Sequence, residues 1–285
     1  MEFEDVIEKW LEAPLLEVRP LSGGDINQVF RLRLANSKDF VLKLNSKDRY
    51  HGMFENESAG LRLLRSAGCR VPGVELTFEE GTHQFLILEH VEEGRPTGIS
   101  WELFGRQLAT LHLQTNDAFG LDHDNYIGSL DQMNDKMENW TEFFISNRLE
   151  PLIRKAKGRN LLGGKHLEAF DSLFSRLPEL IPREAPSLLH GDLWSGNLMF
   201  DKLGEPVFID PAVYFGHREV DIAMTRMFGG FNESFLIAYN EIRPLEKGWE
   251  ERIELHNLYP TLVHLVLFGS SYLSGIERTL RRFAS

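Results

Sequence analysis

Hydrophobic positions alternate with polar ones in three short runs of the first third of the chain, residues 29–34, 40–44 and 85–89. Turn-rich pieces such as Ala35-Asn36-Ser37-Lys38-Asp39 separate them, so the runs predict strands of a small antiparallel sheet. Between the second and third runs the spacing becomes helical. Phe54, Leu61 and Leu64 recur over residues 53–67, and the pattern stops at Gly68 with Pro72 shortly after. One helix is therefore expected to pack on the sheet.

Beyond Glu92-Glu93-Gly94-Arg95-Pro96 the periodicity is mostly helical. Ser100 is expected to cap a helix that buries Trp101, Phe104, Leu108 and Leu111. Further helical patterns run through 140–153 and through Leu167, Phe170, Leu173, Phe174 and Leu177, while 256–272 is apolar enough to be core. Within this part, 197–200 and 207–210 flank Asp201-Lys202-Leu203-Gly204-Glu205 and read as a hairpin. The expected fold class is α+β with two lobes, a sheet-rich one over 1–91 and a mostly α-helical one over 92–285.

Composition changes this picture little, and charge narrows the function. The 285 residues can bury a sizeable core, and 42% hydrophobic with 26% charged residues is the balance of an ordinary globular chain. A formal net charge of -12 opposes broad binding to nucleic acid or anionic membrane, so any phosphate handled here must meet locally positive groups. The single cysteine, Cys69, excludes an internal disulfide and reads as a buried thiol. No basic leader and no membrane-spanning apolar run is visible, and the expectation is a cytoplasmic protein.

The candidate chemistry centres on His190-Gly191-Asp192-Leu193-Trp194-Ser195-Gly196-Asn197, which has the H-x-D-x-x-x-x-N spacing of a kinase catalytic loop. If the hairpin pairs Phe200 with Val207, the same ladder sets Asn197 opposite Asp210. Two hard oxygen ligands then converge as a magnesium clamp, with Asp192 facing the nucleophile. Taken singly, each of these residues also suits a turn or a strand end. Their context favours chemistry. The small-residue loop Ser22-Gly23-Gly24 precedes the strand at 29–34, where backbone amides can approach phosphate. Lys43 interrupts an apolar strand. Its carboxylate partner should come from the next helix, and phase selects Glu57 over Glu55, because Glu57 shares a face with Phe54 and Leu61. Glu89, His90 and Val91 end the first lobe, where a hinge would offer backbone groups to adenine.

With these residues in view, the chain resembles the fructosamine kinase (ketosamine-3-kinase) family, in the protein-kinase-like superfamily of aminoglycoside phosphotransferases and choline kinases. The resemblance rests on the loop at 22–27, on Phe119-Gly120 through Gly128 and on Trp140 through Leu149. It rests most of all on the segments 190–197, 210–221 and 228–231. It implies transfer of the ATP γ-phosphate, with Mg2+, to the 3-hydroxyl of a ketosamine, a step linked to deglycation. Asp192 would then accept the proton, Asn197 and Asp210 would hold magnesium, and Lys43 with Glu57 would serve the phosphates. Trp194, Tyr214, His217 and Arg218 are the substrate-side candidates. Trp194 is open to two readings, a floor for the sugar or a core aromatic, and His217 and Arg218 are open to a tethering role. Asp221 is expected to cap a helix near Ile222 and brace the catalytic loop. The expected partner is a small or protein-bound ketosamine, with the protein itself a monomer or weak homo-oligomer. Other readings of the same residues are an aminoglycoside- or choline-type kinase and an inactive nucleotide-binding scaffold.

Overall fold

The computed structural model describes residues 3–21 and 26–284. Strands β1 (Leu15–Pro20), β2 (Gln28–Leu34), β3 (Asp39–Ser46), β4 (Val74–Glu80) and β5 (His83–Glu89) form an antiparallel sheet in the order β1-β2-β3-β5-β4. Alternation along β3 and β5 gives the sheet two covered faces. Phe40, Leu42, Leu44, Phe85 and Ile87 pack with Val6 and Ile7 of helix α1 (Phe3–Leu11). Leu86 and Leu88 face the other way, toward Phe54, Leu61 and Leu64 of helix α2 (Met53–Ser66). The sequence pattern had pointed to β2, β3, β5 and α2. Strands β1 and β4 are further members, and the amphipathic N-terminal segment covers the outer face.

The cluster that α2 forms with this face of the sheet also takes in Phe104, Leu108 and Leu111 of helix α3 (Gly98–His112), so the lobes meet through a continuous core. Thr97, not Ser100, is the N-cap of α3. Ser100 sits at N3, where its hydroxyl accepts from the Thr97 amide at 3.0 Å and the Thr97 hydroxyl accepts from the Ser100 amide at 3.3 Å. This reciprocal box places the cap three residues earlier than expected.

The second lobe adds a hairpin of β6 (Asn125–Ile127) and β7 (Leu130–Gln132), then α4 (Trp140–Phe143), a π-helical stretch Phe144–Leu149, α5 (Glu150–Gly158) and α6 (Gly164–Leu180). Strand β8 (Ser187–Leu189) leads into the catalytic-loop segment. Strands β9 (Leu198–Phe200) and β10 (Pro206–Phe208) follow it, and β11 (Tyr214–Gly216) returns to pair with β8. Helices α7 (Glu219–Thr225), α8 (Ser234–Ile242), α9 (Trp249–His256), α10 (Leu258–Phe268) and α11 (Leu273–Phe283) complete the chain. The stretch 256–272, read as core, is the last residue of α9, then α10, then a single turn over Ser270–Tyr272.

The β9–β10 hairpin is real but its register is one residue from the expected one. Phe200 faces Pro206 and Met199 faces Val207, so the Ile209 amide donates to the Asn197 carbonyl at 3.1 Å and Asp210 falls just past it. Pro206 opens the strand, where its missing N–H costs little. The Asp201 carboxylate closes the turn by accepting from the Leu203 and Glu205 amides at 2.9 and 3.0 Å. Cys69 is buried, and burial, with the Asp221 charge behind it, pushes its thiol up to about 12. No helix among the described residues is long and apolar enough to cross a membrane.

Candidate active site

A cavity of about 660 Å3 opens between the lobes, and Lys43, Glu57, Asp192, Asn197 and Asp210 meet at its floor. Strand β3 supplies Lys43 on the sheet face that looks at α2, opposite Leu86 of β5. Its Nζ donates to Glu57 Oε1 at 2.7 Å and to Asp210 Oδ1 at 2.5 Å. Burial opposes the lysine charge, but the Asp210 and Glu57 carboxylates outweigh it and hold the ammonium protonated. Glu55 stays exposed on the other side of the helix.

The loop after β8 is held by backbone contacts. Gly191 has φ +82°, and a Cβ there would fall 2.1 Å from the Ala212 carbonyl oxygen, so glycine is required. The buried Asp221 carboxylate accepts from the His190 amide at 2.7 Å and the Gly191 amide at 2.9 Å, and faces His112 Nε2 at 3.2 Å. Helix α7 begins at Glu219 and shows no side-chain cap, so Asp221 braces the loop without capping the helix. Asn197 Nδ2 donates to both the carbonyl and Oδ2 of Asp192, each at 2.9 Å. Burial first, then the Asp210 charge, raises the Asp192 carboxyl to about 7. A half-buried carboxylate poised near neutrality suits a proton acceptor.

The residues also fit a hard divalent cation. Asp210 adopts φ +52°, in the left-handed region that aspartate tolerates better than most residues. That conformation gives one carboxylate oxygen to Lys43 and leaves the side chain 45% exposed to the cavity. Asn197 turns its amide nitrogen toward Asp192, which leaves the amide oxygen for a ligand. The donor set is thus all oxygen, the preference of magnesium.

The sequence profile of the fructosamine kinase family matches residues 3–285. The chain belongs to the fructosamine kinase family. A relative from Enterococcus faecium that bears the name "Probable ketoamine kinase" is 42% identical over 94% of this chain and 95% of its own. The chloroplastic protein-ribulosamine 3-kinase of Arabidopsis thaliana is 35% identical over 95% of this chain and 85% of its own. Among solved structures, one assigned as a fructosamine-3-kinase from Thermobifida fusca superposes with a TM-score of 0.88 at 34% identity, covering 98% of this chain and 97% of that one. An aminoglycoside phosphotransferase, APH(4)-Ia, in complex with AMP-PNP and hygromycin B, superposes with a TM-score of 0.67 at 16% identity, a likeness of fold. It covers 99% of this chain and 98% of its own.

In this member of the family the remaining predicted residues divide. Trp194 is 38% exposed, lines the cavity and meets Phe228 edge-on at 5.9 Å, so it is not a core residue. Its ring lies over Gly196, where any Cβ would come within 2.2 Å. Tyr214, His217 and Arg218 are buried and do not line the cavity. The Tyr214 ring carries the Arg148 guanidinium at 3.9 Å. His217 Nε2 is 3.1 Å from the Pro182 carbonyl, and Arg218 forms a two-pronged pair with Glu184 at 2.8 and 2.9 Å. These three belong to a packed strut beneath the loop and not to a substrate surface.

The Glu89 carboxylate is taken by Arg70 and by the Gly73 amide, and its own amide donates to the Gly73 carbonyl at 2.7 Å. Glu89, His90 and Val91 lie outside the lining of this cavity. Ser22, Gly23 and Gly24 fall outside the described residues. Sequence reasoning gave no role to Tyr126, His264 and Phe268, which also line the cavity. His264 packs against Phe228 at 5.2 Å and Phe268 at 5.5 Å. The available signal was a histidine and a phenylalanine four apart on a mostly apolar helix, one face of which opens on the cavity.

Proposed function

We propose that this protein transfers the γ-phosphate of ATP to the 3-hydroxyl of ketosamines, the rearranged adducts of sugars with amines. The observation that carries this reading is the meeting of Asp192, Asn197, Asp210 and Lys43 at the floor of one cavity in a chain of this family. Asp192 orients the acceptor hydroxyl and takes its proton as the new oxygen–phosphorus bond forms and ADP departs. Lys43 neutralises phosphate charge, with Glu57 fixing its direction. Magnesium arriving with ATP would supply further charge neutralisation, held by Asp210 and Asn197. The glycine loop at 22–24 serves the phosphates. The crossing at Glu89, His90 and Val91 serves adenine through backbone groups, and the boundary between lobes 1–91 and 92–285 lies there. Phosphate beside the ketone is a leaving group, so the product adduct becomes labile, which is the basis of deglycation in a reducing cytoplasm.

The acceptor half of the cavity favours this reading over an aminoglycoside kinase. Its walls are mostly aromatic and aliphatic, and among the described residues the carboxylates lining the cavity are Glu57, Asp192 and Asp210, all assigned to catalysis in this reading. A polycationic aminoglycoside would find no further anionic partner among the described lining residues, whereas a single secondary ammonium can rest against Trp194 and Phe228. ADP release is to be measured with a fructosamine, a ribulosamine, an aminoglycoside and choline in separate reactions. Turnover confined to the two ketosamines is expected. Preferential turnover of choline or the aminoglycoside would overturn the assignment.

A further inference from the structure

A second cavity of about 350 Å3 adjoins the first, and Ile26, Leu267 and Phe268 line both. The two therefore share a wall at the acceptor end. Beyond that wall the lining is uncharged, with Gln28, Ser46 and Ser129, except for Arg49. The placement of Arg49 follows from the turn after β3. Its amide donates to the Ser46 carbonyl at 3.3 Å, and its guanidinium lies over the Tyr50 ring at 5.1 Å. Among the described residues it forms no ion pair, in a chain with 43 acidic and 31 basic side chains. A cation without an ion pair, in a cavity whose described lining holds no carboxylate, attracts an anion, and hydroxyl and amide neighbours suit the polar groups around one.

We propose that the amine substituent of a bound ketosamine leaves the catalytic cavity past Ile26 and Phe268 and sets a carboxylate on Arg49. The enzyme thereby selects adducts of amino acids and acidic peptides over those of neutral amines. This rests on the ketosamine kinase reading above and adds the chemical class of the amine. Because Arg49 is exposed, its pairing is screened and the selectivity is modest, roughly three- to five-fold.

The test uses an isosteric pair, the ketosamines of 6-aminohexanoate and of 6-aminohexanamide, with the methylamine ketosamine as a short reference on wild type. Wild type should show a kcat/KM about three- to five-fold higher for the carboxylate, expressed in KM. Arg49→Gln should erase the ratio and Arg49→Glu should invert it, with melting temperatures confirming that both variants fold. Equal kcat/KM for the two isosteres on wild type, or a carboxylate preference that survives Arg49→Glu, would overturn the proposal. A wild type that turns over no ketosamine, the methylamine adduct included, would overturn the ketosamine reading as well, an outcome distinct from loss of selectivity alone.

Discussion

Replacing Lys43 with methionine keeps an unbranched chain in β3 and removes the cation between two carboxylates. The two partners differ in their escape. The Asp210 side chain is 45% exposed and can turn to water, whereas the Glu57 side chain is 11% exposed and cannot. Stranding one member of a buried pair costs about 3–5 kcal/mol. Glu57 recovers part of this by taking a proton, since burial pushes its carboxyl upward and the opposing Lys43 charge is gone. A loss of about 3 kcal/mol is therefore expected near pH 7.5. The sign of the pH dependence follows from linkage. A carboxyl whose folded pKa lies above its unfolded value destabilises the protein above that folded pKa and is relieved as pH falls. The deficit should shrink toward about pH 5. Adding Glu57→Gln in the same chain should recover roughly 1–3 kcal/mol near neutrality, a coupling visible only because the two groups touch. Phosphoryl transfer should stay lost in both variants, because glutamine restores the packing and not the cation. Urea unfolding at the two pH values, beside ADP release, measures each quantity. A Lys43→Met protein as stable as wild type, or a double variant no more stable than the single one, would refute the argument.

Trp194→Ala should raise the ketosamine KM roughly tenfold with ATP binding little changed, and should cost about 1–2 kcal/mol of stability rather than the 3–5 kcal/mol of a buried aromatic. An unchanged ketosamine KM would remove Trp194 from the acceptor site. Asp192→Asn should lower kcat by about a hundredfold or more while ATP affinity stays within a few-fold, as measured by single-turnover kinetics and calorimetry. Near-normal turnover would remove Asp192 as the proton acceptor. His217 is buried, and desolvation first, then the His256 charge, pulls its ring down to about 4. The unfolded chain binds that proton from about pH 6.5 downward, so stability is full above that pH and is lost as pH falls toward 4, by about 3 kcal/mol from this group alone. Denaturation midpoints that stay flat from about pH 7 to 4.5 would contradict it.

Strand β3 could be read because Phe40, Leu42 and Leu44 alternate with Val41 and Lys43, and one cation in that phase marks the face turned to α2. Glu57 could be read for the same reason, since helical phase separates it from Glu55. The hairpin register could not. Whether Phe200 faces Pro206 or Val207 depends on how Asp201 closes the turn, which alternation does not encode. Thr97 and Ser100 are both good caps, and only the reciprocal bonds choose between them. Tyr214, His217 and Arg218 follow the proposed metal-ligand segment with the residue types of a substrate site. The polar groups of His217 and Arg218 are spent on Pro182, Glu184 and other partners far away in sequence, and the Tyr214 ring is buried against Arg148. The converse error hid His264 and Phe268, because a helix apolar enough for the core also builds an apolar cavity wall. Burial of a polar group and exposure of an apolar one are set by tertiary packing, so these assignments needed the fold.

The central claim concerns which oxygen receives phosphate. Wild-type protein, Mg2+-ATP and a fructosamine should give one phosphorylated product, in which NMR coupling between phosphorus and the sugar carbons places the phosphate on the C3 oxygen. Phosphate on any other hydroxyl, or no phosphorylated sugar under conditions where ATP binds, would contradict the account.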